Sequence, residues 1–351
     1  MLMGMGGGQS VYFGDGIYFG ERLSTLGNAE LGWETTTSWN FGFETDFLQN
    51  RFHWEVDAYT SKTTDQIFNR QIPIMGAGIG QQSATMGQVN NWGIESSLQV
   101  NVMRKGKFSW ISTLNFTMNR NKLVELYGDG LDDITNQLFL GKSLGAIYGY
   151  RFLGIVQKND TDYIAANGAA PGDAMWANLD GSEDGRITAS DREILGYNKE
   201  AFRMSLANTL TYGNWSLYFM LNGSFSGGMY GVSSNARAFI ASEAMQYLSN
   251  VNHPYWTEEN PSDKYPRAAY LSNGSSFIQK YGFVRLQDVS LSYDLRGTFL
   301  RKAGISGAQF YVSGKNLFFI APNWEFSDPE VRNPGSQQLA RTFTFGVNVR
   351  F

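Results

Sequence analysis

Apolar and polar residues alternate along several stretches of the chain, the period of a β-strand whose two faces meet different surroundings. From Trp39 to Phe47, the residues Trp39, Phe41, Phe43 and Phe47 share one face, while Asn40, Gly42, Glu44 and Asp46 share the other. After a turn-sized connection, Leu48 to Arg51, the pattern resumes with Phe52, Trp54, Val56 and Ala58 against His53, Glu55, Asp57 and Tyr59. A second pair sets Ile94, Leu98, Val100 and Val102, then Phe108, Trp110, Leu114, Phe116 and Met118, against polar partners, with Arg104 to Lys107 as its turn. A third runs through Met204, Leu206, Leu210 and Tyr212, then Trp215, Leu217, Phe219 and Leu221. Gly213 and Asn214 between them are a two-residue hairpin signal. A fourth pair covers about 283–295 and 309–318, and its alternation slips near Asp288, as a bulge would make it. The last strand is RTFTFGVNVRF, with Phe343, Phe345, Val347, Val349 and Phe351 on one face.

Short turns alternate with long segments at roughly 65–90, 120–201, 227–280 and 320–341. This is the pattern of an all-β antiparallel transmembrane barrel, with short periplasmic turns and long extracellular loops. Trp33, Trp92, Tyr150, Tyr212 and Tyr293 suit its interfacial girdles. A soluble sandwich also shows alternating faces and remains the alternative. A periplasmic C-terminus places every short turn on one side and leaves the first 38 residues starting outside the cell. Nine clear strands are an odd number, whereas a single-chain bacterial barrel closes with an even one and its edges cannot face lipid unpaired. The expectation is a partial barrel of about 9–10 strands. Segment 147–157 (IYGYRFLGIVQ) reads as part of an extracellular excursion.

Composition agrees. Only 17% of the 351 residues are charged and 15% are aromatic, with 40 glycines and 8 prolines. No apolar run approaches the roughly 18–20 residues of a membrane-spanning helix. Mean hydropathy is −0.30, as expected of strands that show lipid only every second residue. The chain has no cysteine, which excludes disulfides and thiolate chemistry. Its net charge of −4 gives no basic footprint for nucleic acid. The opening MLMGMGGGQSVYFGDG lacks the features of a secretory signal, so a membrane reading requires an export signal upstream.

Several stretches resemble the SusC/RagA family of TonB-dependent transporters. LGNAELGWETTTSWNFGFE (26–44) and GQVNNWGIESSL (87–98) are similar to its strand motifs. So are IYGYRFLGIVQ, the Asp-rich stretch after Pro171, YWTEENPSDKYPR (255–267), GKNLF (314–318) and the DPEV element (328–331). The resemblance implies a plugged barrel of about 22 strands in the outer membrane. It would import oligosaccharides or peptides with a SusD-like surface lipoprotein as a lid and the TonB complex as the energy source. The plug, the TonB box and the first part of the barrel have no match in the chain, which on its own is not expected to transport. Two rivals are a surface receptor or adhesin barrel without transport, and a soluble all-β carbohydrate-binding or hydrolytic protein.

Local chemistry is sparse. The stretch DGSEDGRITASD (180–191) has the spacing of a Ca²⁺ loop: Asp180, Ser182 and Asp184 at alternating positions, Gly185 at the bend, the Arg186 carbonyl, Thr188, and Asp191 in place of the usual final glutamate. A structural Ca²⁺ is one reading, and a solvated acidic turn is the other. For catalysis there are two histidines, no G-x-S-x-G and no His-Glu-x-x-His, so no enzyme activity is expected. His53, beside Glu55 and near Asp57, reads as a lumen lining, and His253 lies in a long loop. Gly6–Gly8 are not followed by the lysine of a phosphate loop. The 227–280 loop holds Tyr230, Phe239, Tyr247, Tyr255, Trp256, Tyr265 and Tyr270, which would either stack on a ligand or form the loop's own core. Trp256, with Tyr255, is the first choice for substrate contact. The alternating aromatics Phe343, Phe345 and Phe351 resemble the signal read by the barrel-assembly machinery.

Overall fold

The computed structural model describes residues 4–6, 10–19, 22–25, 28–29, 31–71, 81–85, 87–225, 229–233, 254–267, 270, 276–302, 304–324, 328–331 and 337–351. Of the sequence expectations, His253, Phe239, Tyr247 and parts of the glycine run and of the 26–44 motif lie outside the described residues, as does the side chain of Tyr230.

The nine long strands are β1 (Thr35–Phe47), β2 (Phe52–Thr64), β3 (Gly87–Lys105), β4 (Phe108–Leu126), β5 (Phe202–Tyr212), β6 (Trp215–Phe225), β7 (Phe283–Leu295), β8 (Gly307–Ile320) and β9 (Thr342–Arg350). They form one sheet whose spatial order follows the chain from β1 to β9, so each strand lies beside its sequence neighbour. The order is open, and β1 and β9 are its edges. Short strand pairs, 67–71 with 81–85, 146–150 with 192–197, 152–155 with 174–176 and 229–233 with 276–280, extend or decorate the long connections. Segment 147–157 thus lies outside the nine-stranded sheet.

The turns follow from their residues. Gly213 has φ +60°, the left-handed geometry that a two-residue primed turn needs at its first position. The β3–β4 turn is shorter than the sequence suggests, because β3 runs through Lys105. The slip near Asp288 is a bulge. Pairing with β8 jumps from Leu286↔Phe318 to Asp288↔Lys315, and the extra residue is accommodated at Asn316, with φ +54°. Asparagine tolerates that conformation, and its amide holds the Ala340 carbonyl at 3.2 Å. The GKNLF motif is therefore a bulge motif.

By contacts the chain divides into two units, each with its own small core. The first comprises Met1–Gly42, Asp57–Ile94 and Asn119–Leu144. Its core is Val89, Leu123, Leu126 and Tyr127, with Phe68, Leu138, Leu140 and Leu144 packed against them. These residues explain why β3 and β4 reach 19 residues each, against the roughly 9–11 that cross a bilayer. Apolar residues there stand on both faces, Leu123 buried beneath the loop residues and Val124 41% exposed, so the alternation stops marking them. The second unit comprises Phe43–Val56, Glu95–Met118 and Gly145–Phe351. Its loop core gathers Ala174, Trp176 and Tyr270, with Tyr150, Phe152 and Ile187 around them. Tyr150, expected in an interfacial girdle, instead packs 6.2 Å from the Trp176 ring.

Candidate functional site

The apolar face of the sheet is not a core. Trp39 is 76% exposed, Phe345 77% and Phe343 64%, and Phe41, Phe310, Phe318 and Val347 are exposed as well. Leu291 and Tyr293 on β7, Phe310 and Val312 on β8, and Phe345 and Val347 on β9 line one continuous apolar groove on that face. A soluble sandwich buries such a face against a second sheet. Uncovered aromatics of this density on one face of many strands are the lipid-facing band of a membrane barrel. Polar groups on the same face are satisfied locally: the Trp110 indole donates to Asn208 Oδ1 at 2.9 Å, and the Trp54 indole to Ser96 Oγ at 2.9 Å.

The opposite face is a ladder of cross-strand polar contacts. Asn119 donates to the Tyr59 hydroxyl at 2.7 Å, Asn115 to Ser205 at 3.1 Å, and Asn348 to Gln309 at 3.3 Å. His53 sits here as expected, its ring nitrogens 3.0 Å from Asp46 and 3.0 Å from Glu55. Sequence spacing shows that these residues share a face. It does not show that two strands bring them into contact, which a count of the four-residue turn would have revealed.

In the 180–191 stretch the acids hold the loop's own amides. Asp180 accepts from the Ser182 amide at 2.9 Å and Asp184 from the Arg186 amide at 3.0 Å. The Ser182 hydroxyl accepts from Asn178 at 3.0 Å. Asp191, expected as the last Ca²⁺ ligand, is fully buried and accepts from the amides of Leu179 (2.6 Å), Asp180 (3.0 Å) and Thr188 (2.6 Å). Thr188 and Asp191 form a reciprocal capping box around the turn Ala189–Asp191. That pattern, Thr-x-x-Asp, is visible in the sequence. Among the described residues, Asp180, Asp184 and Asp191 do not converge into a three-carboxylate cluster.

The Thr188 and Asp180 amides hold the Asp191 carboxyl below its ordinary value. The stabilisation it gives is therefore complete above the unfolded-state value of about 3.9 and is lost as pH falls through the lower folded-state value. Asp191→Ala is expected to cost the loop about 1–2 kcal/mol, the worth of a lost cap. Limited proteolysis checks it: the variant should be cut near 180–191 at neutral pH, whereas the parent resists until strongly acidic conditions.

Trp256 corrects its expectation. It is only 9% exposed, and its indole donates to Gln157 Oε1 at 2.9 Å. Gly172, at φ +89°, lies so close that a β-carbon there would come 2.6 Å from the Trp256 ring. The indole is therefore a loop-core residue, sealed where a sugar ring cannot stack. Tyr265 and Tyr270 are buried too, and burial pushes the Tyr270 hydroxyl up to about 12. The YWTEENPSDKYPR motif is a clasp: Arg267 binds Asp173 at 2.6 Å, and its amide binds the Gly172 carbonyl at 2.7 Å. Tyr255 stays 43% exposed. A cleft opens between Leu153, Tyr163, Ala166 and Ile187, rimmed by Asp162, Glu183 and Asp184. Phe343 and Phe345 lie exposed on β9, and Phe351 follows its last residue.

The chain is similar to known proteins. TonB-dependent receptor P3 of Formosa agariphila is 29% identical over 377 residues, a match covering 97% of this chain and 37% of that protein. TonB-dependent receptor SusC of Bacteroides thetaiotaomicron is 25% identical over 356 residues, covering 97% of this chain and 34% of that protein. The chain thus spans little more than a third of the length of these relatives. Among solved structures, one described as the RagAB peptide transporter superposes with a TM-score of 0.74 at 19% identity, over 99% of this chain and 38% of that one. The model of the TonB dependent receptor-like β-barrel family matches residues 7–317. With its apolar face uncovered and its polar face laddered, the chain belongs to that family, whose place is the outer membrane.

Proposed function

We propose that the chain is the C-terminal wall of a SusC-type importer, a barrel that takes up oligosaccharides or peptides through the outer membrane under TonB control. The uncovered apolar face carries this reading, and the named relatives support it. The edges β1 and β9 need strand partners, since unpaired backbone groups in lipid cost several kcal/mol each by order of magnitude. Further strands of the same barrel would supply them. The long connections, with Tyr255 and the Leu153–Ile187 cleft, would face a SusD-like lipoprotein and its ligand. The substrate passes chemically unchanged, and no catalytic step is assigned.

An antibody against the C-terminal strand, applied to fractionated source cells, should stain the outer-membrane fraction and co-precipitate a SusD-like lipoprotein. Deleting the gene should abolish growth on a glycan or peptide source that the parent strain uses. Signal confined to the soluble fraction would overturn the barrel; outer-membrane signal without any growth defect or lipoprotein would favour a surface receptor.

A further inference from the structure

We infer that Glu44, His53 and Glu55 form a binding site for a first-row divalent transition ion, Zn²⁺ by ligand chemistry, with Asp46 as the residue that positions the imidazole. The ligand atoms of the three lie within 4.8 Å of one another, the only such cluster among the described residues.

The imidazole is held at both ends. Nδ1 is 3.0 Å from Asp46 Oδ1, while Nε2 is 3.0 Å from Glu55 Oε1 and 4.0 Å from Glu44 Oε1. With Nδ1–H donating to Asp46, Nε2 faces Glu55, to which a protonated ring donates, and a metal ion taking the place of that one proton would reach Glu44 as well as Glu55. A histidine ligand whose other nitrogen is fixed by a carboxylate is the usual outer arrangement of a zinc site.

Charge points the same way. Three carboxylates surround one imidazole, so even a protonated ring leaves two negative charges. Among the described residues no lysine or arginine pairs with Glu44, Asp46 or Glu55. Arg51, in the adjoining turn, spends its guanidinium on the carbonyls of Asn101 and Val102. Glu44 and Glu55 are like charges on neighbouring strands, a destabilising pair when nothing bridges them.

Geometry decides the class of ion. Ligands about 2.0–2.2 Å from a tetrahedral ion lie roughly 3.3–3.6 Å from one another. The observed 3.0 and 4.0 Å separations straddle that range, so small side-chain rotations close the site. One imidazole nitrogen with two carboxylate oxygens suits Zn²⁺ and its neighbours, whereas Ca²⁺ and Mg²⁺ take all-oxygen sets. The ligands stand on adjacent strands whose meeting is fixed by Phe47 stacked on Phe52 at 4.9 Å. The His53 side chain is 32% exposed, which leaves an entry path and a fourth position for water.

The inference rests on the β1–β2 hairpin and not on import, so either can fail without the other. Protein purified in detergent from outer membranes, free of any polyhistidine tag, is titrated calorimetrically with ZnCl₂. The parent should bind one Zn²⁺ equivalent that His53→Ala loses. Glu55→Gln should weaken it at least tenfold, and Asp46→Asn by roughly 10–100-fold. His253→Ala is the control and should change nothing. Co²⁺ in place of Zn²⁺ should give a visible ligand-field band that is absent from His53→Ala. Should His53→Ala fail to reach the membrane, the two isosteric variants carry the test, and unchanged zinc affinity in both overturns the site. So does a parent that takes up no zinc, or a His53→Ala protein that keeps the equivalent.

Discussion

Arg285→Ala is expected to destabilise the protein by about 3–5 kcal/mol, the cost of breaking a buried ion pair from one side. The Arg285 side chain is 2% exposed. Its Nη2 lies 2.6 Å from Asp328 Oδ1 and its Nε 2.7 Å from Glu330 Oε2. The guanidinium is centred 5.6 Å from the Phe283 ring and 5.2 Å from the Phe319 ring. It therefore joins β7, β8 and the DPEV element of the 320–341 connection in one contact set. Without it, Asp328 keeps among the described residues the Glu330 amide, a neutral donor, and a buried carboxylate loses its charged partner. Lysine should not rescue, because a point charge cannot serve two carboxylates in fork geometry. Urea unfolding in detergent, followed by the heat-dependent gel shift of folded barrels, measures the loss. Asp328→Asn should cost far less in the Arg285→Ala background than alone. Equal costs in both backgrounds would mean that the pair is not coupled.

Much of this architecture was legible because alternation is a direct record of two environments. Trp39, Phe41 and Phe43 announce one face and His53, Glu55 and Asp57 the other, and the nine strands read this way are the nine of the sheet. The register slip at Asp288 was legible as well, since a bulge reverses the phase of every residue after it. Legibility failed where apolar residues stand on both faces. Val89, Leu123 and Leu126 pack into a loop core at strand ends where the exposed Val124 is apolar too, so β3 and β4 outrun their alternating portions. It failed again in the loops, because an aromatic that stacks on a ligand and one that fills a core have the same composition. Trp256 and Tyr270 needed their burial to be known. Asp191 looked like a terminal Ca²⁺ ligand from its spacing, yet the same spacing from Thr188 makes a capping box, and the structure uses it for that. The Glu44–His53–Glu55 cluster was half visible: face, but not contact.

The same logic gives a result that turns on what surrounds the exposed face. Phe345→Arg is expected to cost about 2–4 kcal/mol, the penalty for a basic residue on the lipid side near mid-membrane, whereas Thr344→Arg on the polar side should cost close to nothing. Phe345 is 77% exposed. In water, replacing a phenylalanine so exposed with arginine would be neutral or favourable, so only lipid gives the predicted sign. Phe345 also lies in the stretch that resembles the barrel-assembly signal, and a variant that is never assembled would imitate a lipid penalty. Leu291→Arg separates the two causes. Leu291 is outward-facing and 40% exposed on β7, well away from the terminal strand, and it shares the Phe345 groove. Refolding each variant into vesicles and measuring its urea midpoint removes the cellular machinery altogether. A penalty at both Phe345 and Leu291 in vesicles identifies the face as lipid-exposed. A defect at Phe345 seen only in cells, with normal vesicle stability at both positions, would assign the terminal aromatics to assembly and leave the lipid-facing reading without its energetic basis.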